Sequence, residues 1–116
     1  MAKGNSFFKL EMLVLQILER GECYGYEIGT TIKKQTNGVI DINTGTLYPI
    51  LYKLTDAGYI SSKESKIGRK LKIFYKLEPK GKELLNQLKE NYYSWTIAID
   101  YCMSDTLDNE NIDCLE

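Results

Sequence analysis

Four polar side chains stand together at the start of a predicted helix, where they could form hydrogen bonds with a nucleic acid. They are Asn43, Thr44, Thr46 and Tyr48, and Gly45 between them leaves room for a close approach. The rear of the same segment carries an apolar stripe at helical spacing, made by Leu47, Ile50, Leu51 and Leu54. A short helix that buries this stripe and presents its polar first turn suits the major groove of DNA. Asn43 and Thr44 could equally cap the helix, and one residue could do both.

A basic block follows this helix, although the chain of 116 residues has a formal net charge of -1. Residues 1–60 have a net charge of zero. Residues 61–82 carry eight basic and two acidic side chains, which gives a net charge of +6. Residues 83–116 carry one basic and eight acidic side chains, which gives a net charge of -7. Cations placed on phosphates supply much of the affinity for duplex DNA, so this local block favours nucleic-acid binding. We expect the DNA backbone or minor groove to be contacted by Lys66, Arg69, Lys70 and Lys72.

Three motifs in the chain resemble the sequence pattern of PadR-type transcriptional regulators. They are Tyr24-Gly25-Tyr26-Glu27-Ile28, Gly45-Thr46-Leu47-Tyr48-Pro49-Ile50-Leu51, and Gly68-Arg69 with the run to Tyr75-Lys76-Leu77. The resemblance covers roughly residues 7–103. It implies that Tyr26 contacts a phosphate and that Arg69 enters a narrow minor groove. Leu71 and Ile73 depart from the family pattern, in which more basic residues are common at these places.

The elements that must position these residues are three helices and a hairpin. Helices are predicted over 7–20, over 26–35 and from Asn43 or Thr44 to just before Gly58. Strands are predicted over 59–64 and 71–77, the second with period-two alternation, and a basic loop is predicted over 65–70. The fold class is therefore α+β, mostly α: a winged helix-turn-helix with three helices and a two-stranded β wing.

A last helix carries a narrow apolar seam with spacings of three and four residues. The seam consists of Leu85, Leu88, Tyr92, Trp95, Ile99 and Cys102. Because the three-helix core is already complete, we predict that the same helix of a second copy covers the seam. The alternative is that this helix folds back on its own domain. The predicted organisation is a DNA-binding domain over 1–78, a C-terminal dimerisation helix over 79–103 and an acidic, flexible tail over 104–116.

Trp95 is the only tryptophan and lies in this seam. In multidrug-sensing members of the PadR family a tryptophan at the corresponding place lines a ligand pore, and Ser94-Trp95 resembles that site. The resemblance implies a site for a small planar aromatic ligand, with Ile99 beside Trp95 and with Phe8, Glu11 and Met12 on the first helix facing it. Glu11 would favour cationic ligands. The alternative is that Trp95 fills the dimer core.

Other functional classes find little support in the sequence. There is no histidine, no phosphate-cradling glycine loop and no recognisable acid/base pair, so we predict no catalytic residue and no cofactor. Cys23, Cys102 and Cys114 are too few and too far apart for a metal site or a disulfide framework. No apolar run is long enough for a membrane span and no secretory leader is present, so a cytoplasmic protein is expected.

The leading hypothesis is a homodimeric transcriptional regulator, a repressor, that binds a pseudo-palindromic operator in double-stranded DNA. A ligand at the dimer interface would release it. The alternative is a winged-helix module that binds another protein and not DNA.

Overall fold

The computed structural model of the protein describes residues 9–104 and contains four helices and three strands. In chain order they are α1 (Leu10–Glu19), β1 (Cys23–Tyr24), α2 (Gly25–Gln35), α3 (Thr44–Asp56), β2 (Ile60–Ile67), β3 (Lys70–Leu77) and α4 (Pro79–Met103). This arrangement confirms the predicted winged helix-turn-helix class. The predicted tail over 104–116 lies outside the described residues apart from Ser104, and so do residues 7 and 8 of the first predicted helix.

The helices begin and end close to the predicted positions. α2 starts one residue early, at Gly25, and α3 starts at Thr44 with Asn43 as its N-cap. The turn predicted at Asn37-Gly38 is present, since both residues have positive φ angles, of 54° and 81°. Thr36 then fixes the link to α3, because its hydroxyl oxygen accepts the Ile40 N–H at 3.0 Å.

The predicted two-stranded wing is the hairpin of β2 and β3, and β1 adds a third antiparallel strand that was not predicted, in the order β1-β3-β2. β1 pairs Cys23 with Tyr75 and Tyr24 with Phe74. A strand of two residues has no periodicity, so the sequence offered no signal for it.

The predicted basic loop over 65–70 is wrong, because both strands continue to the tip of the hairpin. Ile67 pairs directly with Lys70, so only Gly68 and Arg69 form the turn. Gly68 has a φ of 63°, the positive value that two-residue hairpin turns require. Lys66 and Lys70 therefore lie in strands, where their directions are fixed by the pleat, and Arg69 alone occupies the tip.

The core draws apolar side chains from every helix and from the sheet. Val14 and Leu15 of α1 are fully buried at its centre. Three of the four predicted stripe residues of α3 are buried, namely Leu47, Leu51 and Leu54, whereas Ile50 is half-buried. α4 also contributes, since Leu85 has no exposed surface.

α4 is attached to the domain by a close backbone contact at Gly81. A Cβ placed on Gly81 would overlap the carbonyl oxygen of Tyr59, at the junction between α3 and β2. The same oxygen accepts the Glu78 N–H at 3.1 Å. The absence of a side chain at Gly81 therefore sets the direction in which α4 leaves the domain.

We expect Gly81→Ala to lower the free energy of unfolding by about 2 kcal/mol, because the overlapping atom belongs to the backbone and cannot rotate away. Gly29→Ala in α2 is the matched control, since a Cβ there would meet Leu47 Cδ2 at an ordinary 3.4 Å. Alanine should leave stability equal or slightly raised at that helical position. Urea denaturation measures both, and equal midpoints for the two variants would contradict this account of the junction.

Candidate nucleic-acid interface

The first turn of α3 presents the predicted polar group to solvent. Asn43, Thr44, Gly45 and Thr46 are all exposed. The Asn43 side-chain oxygen accepts the Thr46 N–H at 3.0 Å, so the capping role is filled. Asn43 is still exposed in that geometry, so capping does not prevent its amide from contacting a partner.

Tyr48 is placed differently from the other predicted contact residues. It is half-buried, and its ring lies against the start of α2, where a Cβ on Gly25 would be only 2.9 Å from the ring. Tyr48 therefore packs α3 against α2. Tyr52, one turn later, is 63% exposed, and the centres of the two rings are 6.4 Å apart.

Tyr26 lies at the second position of α2 and is 70% exposed. The N-terminus of a helix carries a partial positive charge and unpaired N–H groups, which favour a phosphate nearby. α2, α3 and the wing meet at this point, since a cleft of about 310 Å³ is lined by Tyr26, Tyr52 and Lys72 among others.

The strand register divides the predicted basic residues of the wing between two faces of the sheet. Lys66 pairs with Leu71, and these residues share the face on which Ile60 and Tyr75 enter the core. Lys70 and Lys72 point to the opposite side, which we call the outer sheet face. The ammonium group of Lys72 lies 4.5 Å from the centre of the Tyr24 ring. Arg69 is exposed at the tip between the two faces.

The predicted seam of α4 is divided by the edge of the domain. Leu85 is fully buried, and Leu88 and Tyr92 pack against the same core, so the alternative that the helix folds back on its own domain is correct for this half. Leu85 must be removed from the predicted dimer contacts because it has no surface left to offer. The second half of the seam, with Trp95 at 50% exposed, Ile99 and Cys102, extends beyond the domain.

A second apolar row on α4 was missed in the sequence. Tyr93, Ile97 and Tyr101 recur every fourth residue and are 54%, 66% and 64% exposed. Their spacing of four residues could have revealed this row, but only the seam of Trp95, Ile99 and Cys102 was predicted as an apolar face. With both rows, the projecting half of α4 is apolar on two sides.

Among the described residues that were predicted to bind a ligand, those of α1 and those of α4 do not line a common groove. Phe8 lies outside the described residues. Met12 lines a groove of about 580 Å³ between α1 and α4, but Trp95 and Ile99 do not. Glu11 forms an ion pair with Lys53 at 2.7 Å. Burial raises the pKa of the Glu11 carboxyl, but the hydrogen bond and charge of Lys53 outweigh burial and lower the pKa below its ordinary value. The charge expected to attract a cationic ligand is thus already paired.

Little other chemistry is available in the part of the chain that the structure describes. Over residues 9–104 no group of three potential metal ligands comes together, and no helix is long and apolar enough to cross a membrane. Cys23 and Cys102 are free thiols, and Cys114 lies outside the described range. Burial, assisted by the charge of Glu27, raises the pKa of the Cys23 thiol to about 11, which makes it a poor nucleophile.

Known proteins are similar to this chain in sequence and in fold. The profile of the transcriptional regulator PadR-like family matches residues 14–87. The negative transcriptional regulator PadR of Bacillus subtilis (strain 168) is 35% identical over 78 residues, which are 66% of this chain and 43% of that protein. The chain therefore spans less than half of the length of this curated relative.

Solved structures extend the likeness to nearly the whole chain. The structure of smu.1704 from Streptococcus mutans UA159 is similar with a TM-score of 0.75 and 30% identity, covering 94% of this chain and 99% of that chain. The crystal structure of Bacillus subtilis PadR in complex with operator DNA is similar with a TM-score of 0.63 and 33% identity, covering 67% of this chain and 45% of that chain.

Two substitutions at Asn43 separate capping from contact. Asn43→Ala removes the acceptor for the Thr46 N–H and should cost about 1 kcal/mol of stability. Asn43→Asp keeps the acceptor, so its urea midpoint should match the original, but its negative charge should weaken binding to duplex DNA. Fluorescence anisotropy on the DNA upstream of the chain's own gene measures the second effect. Unchanged DNA affinity in Asn43→Asp would show that Asn43 is a cap alone.

Proposed function

The chain belongs to the PadR-like family of transcriptional regulators, and we propose that it is a cytoplasmic, homodimeric repressor that binds a pseudo-palindromic operator in double-stranded DNA. The observation that carries this proposal is the meeting of three exposed elements. α3, the start of α2 and the wing line one cleft through Tyr52, Tyr26 and Lys72. The polar turn of α3, Tyr26 and the wing tip are all exposed.

These three elements supply the two kinds of contact that operator binding requires. The hydroxyl and amide groups of Asn43, Thr44 and Thr46 would read base edges in the major groove. Arg69 at the narrow hairpin tip, with Lys66 behind it, would bind phosphates or the minor groove. The complex of Bacillus subtilis PadR with operator DNA supports this assignment, since the likeness to it covers 67% of this chain.

The dimer is proposed from the projecting half of α4. α4 has 25 residues and the molecule measures 66 Å along its longest axis against 28 and 27 Å across, so this helix stands out from the domain. A helix that is apolar on two sides is stable in water only when both sides are covered. The seam of Trp95, Ile99 and Cys102 would pack on a second copy, whose domain or helix would cover the row of Tyr93, Ile97 and Tyr101. The two DNA-binding domains, each with its own α3 and wing (the reading heads), would then face two half-sites about one helical turn apart.

The proposal includes a flat aromatic ligand bound beside Trp95 between two copies. Half of the Trp95 surface is exposed in the single chain, so a symmetric pair could leave a slot between two such rings. A ligand that binds better to one arrangement of the paired helices than to the other would shift their populations. Because Glu11 is paired with Lys53, this site would accept neutral rings as well as cationic ones.

Operator binding is tested by gel shift on the upstream region of the chain's own gene over a range of salt concentrations. Arg69→Ala should weaken binding to the operator and to unrelated duplex alike and reduce the salt slope by about one, because it removes a phosphate contact. Thr46→Ala should instead change the preference among operator variants at an unchanged slope.

Arg20→Ala is the control for this test, since Arg20 is exposed but bonds Gln35 at 2.8 Å, away from the wing. If neither the unsubstituted protein nor any variant binds duplex DNA, even in dilute buffer, DNA binding is refuted and the protein-binding alternative is favoured.

The dimer is tested by sedimentation at micromolar concentration. Ile99→Glu places a charge in the exposed seam and should weaken association about 30-fold or more, while the domain stays folded because the site is exposed in the single chain. Gln87→Glu adds the same charge at an exposed position on the attached half of α4, outside both apolar rows, and should leave the dimer intact. A single subunit for the unsubstituted protein, or equal behaviour of both variants, would remove the dimer from the proposal.

A further inference from the structure

The outer sheet face carries more positive charge than the duplex interface described above uses. Because directly paired residues point to the same side, this face contains Lys63, Lys70, Lys72 and Lys76. None of the residues that β2 and β3 contribute to this face is acidic. Successive residues of β3 on this face are about 6.6 Å apart along the strand. Lys63 and Lys76 point away from the side on which the wing adjoins α3, so contact with the duplex leaves them unused.

Two aromatic rings lie among these lysines. Tyr24 of β1 and Phe74 of β3 are paired across the sheet, and their ring centres are 4.3 Å apart. Lys72 reaches over the Tyr24 ring, and Lys63 is the direct partner of Phe74 on the other strand. Both rings are half-buried, so the sheet holds them in place while part of each remains accessible.

A hollow gives access to the Phe74 ring. It measures about 290 Å³, and its lining includes Phe74, Lys63, Lys76 and Ser61. Two carboxylates lie near these lysines: Glu22 lines the hollow, and Glu78 accepts a hydrogen bond from the Ser61 hydroxyl at 2.6 Å. A flat ring of the size of a nucleobase could enter this hollow and stack on Phe74, with a lysine on each side.

Alternating cations and stacking rings on an open sheet match one class of partner. Single-stranded nucleic acids bind to proteins through basic surfaces that follow the backbone and aromatic rings that stack on unpaired bases. A duplex cannot use the rings, because its bases are already stacked on one another. An acidic peptide would use the lysines but has no need of Tyr24 or Phe74.

We propose that the outer sheet face binds single-stranded nucleic acid, with an unpaired base stacked on Phe74, with Tyr24 holding the Phe74 ring in place, and with phosphates bound by Lys63, Lys70, Lys72 and Lys76. This goes beyond the proposed repressor function, since it needs neither the operator nor the reading turn of α3. It gives the wing two surfaces for two forms of nucleic acid.

The first test compares three labelled probes by fluorescence anisotropy: a thymidine oligonucleotide of about 12 nucleotides, an abasic strand with the same number of phosphates, and the duplex upstream of the chain's own gene. The thymidine strand should bind about 10-fold or more tightly than the abasic strand, because one stacked base contributes that much. Phe74→Leu should remove this preference, whereas Phe74→Tyr, which keeps the ring, should preserve it. Equal affinity for the two strands would overturn the proposal and leave a plain cationic surface.

A second test uses two lysines on opposite faces of one strand. Lys63→Gln should weaken binding to the thymidine strand and reduce its salt slope, with little change for the duplex. Lys66→Gln, three residues along β2, should do the reverse. The duplex probe reports the repressor proposal separately, so loss of duplex binding alone would not touch this inference. If Lys63→Gln and Lys66→Gln affect both probes equally, the two faces are not distinct and the inference is wrong.

Discussion

The contact that joins α4 to the domain determines what the rest of this helix can do. Leu85 is fully buried in the core, and Gly81 lets the α4 backbone reach the carbonyl oxygen of Tyr59. These two residues fix both the direction of α4 and its rotation about its own axis. One continuous helix face therefore packs on its own domain as far as Tyr92 and then extends beyond it with Trp95 and Ile99 uncovered. Any second copy that covers this half is held at an angle set by Gly81, which is how a core contact would control the spacing of two reading heads.

The parts of the fold that were predictable are those with a strong local signal. α3 combines an apolar stripe with a capping residue, and Asn43 caps it as the sequence indicated. β3 alternates with period two, and its alternation marked it as a half-exposed strand. β1 was missed because two residues carry no period, and the wing tip was misplaced because a turn containing glycine can close a hairpin in two residues. The division of the α4 seam was also hidden, since it depends on where the domain surface ends and not on residue spacing.

The sequence predicted which residues of the candidate site are exposed, but it did not predict which other residues their side chains contact. Asn43, Thr44, Thr46 and Arg69 are exposed as their polarity suggested. Tyr48 looked like a contact residue, yet its ring packs on Gly25, which is distant in sequence. Glu11 looked like a free charge, yet Lys53, 42 residues away, neutralises it. Both pairings have the same physical origin: an amphipathic or charged side chain takes whichever partner the tertiary fold brings near it, and local spacing carries no information on that choice.

The pleat of β3 links the chain's departure from its family pattern to the distribution of charge on the wing. Leu71 and Ile73 occupy the positions of β3 that share a face with the core residue Tyr75. The lysines of this strand, Lys70, Lys72 and Lys76, therefore all fall on the outer sheet face. With apolar residues at positions 71 and 73, the lysines of β3 lie beside the rings of Tyr24 and Phe74. Lys72 alone among them also lines the cleft next to α3, so the side toward α3 depends on Lys72, on Arg69 at the tip and on Lys66.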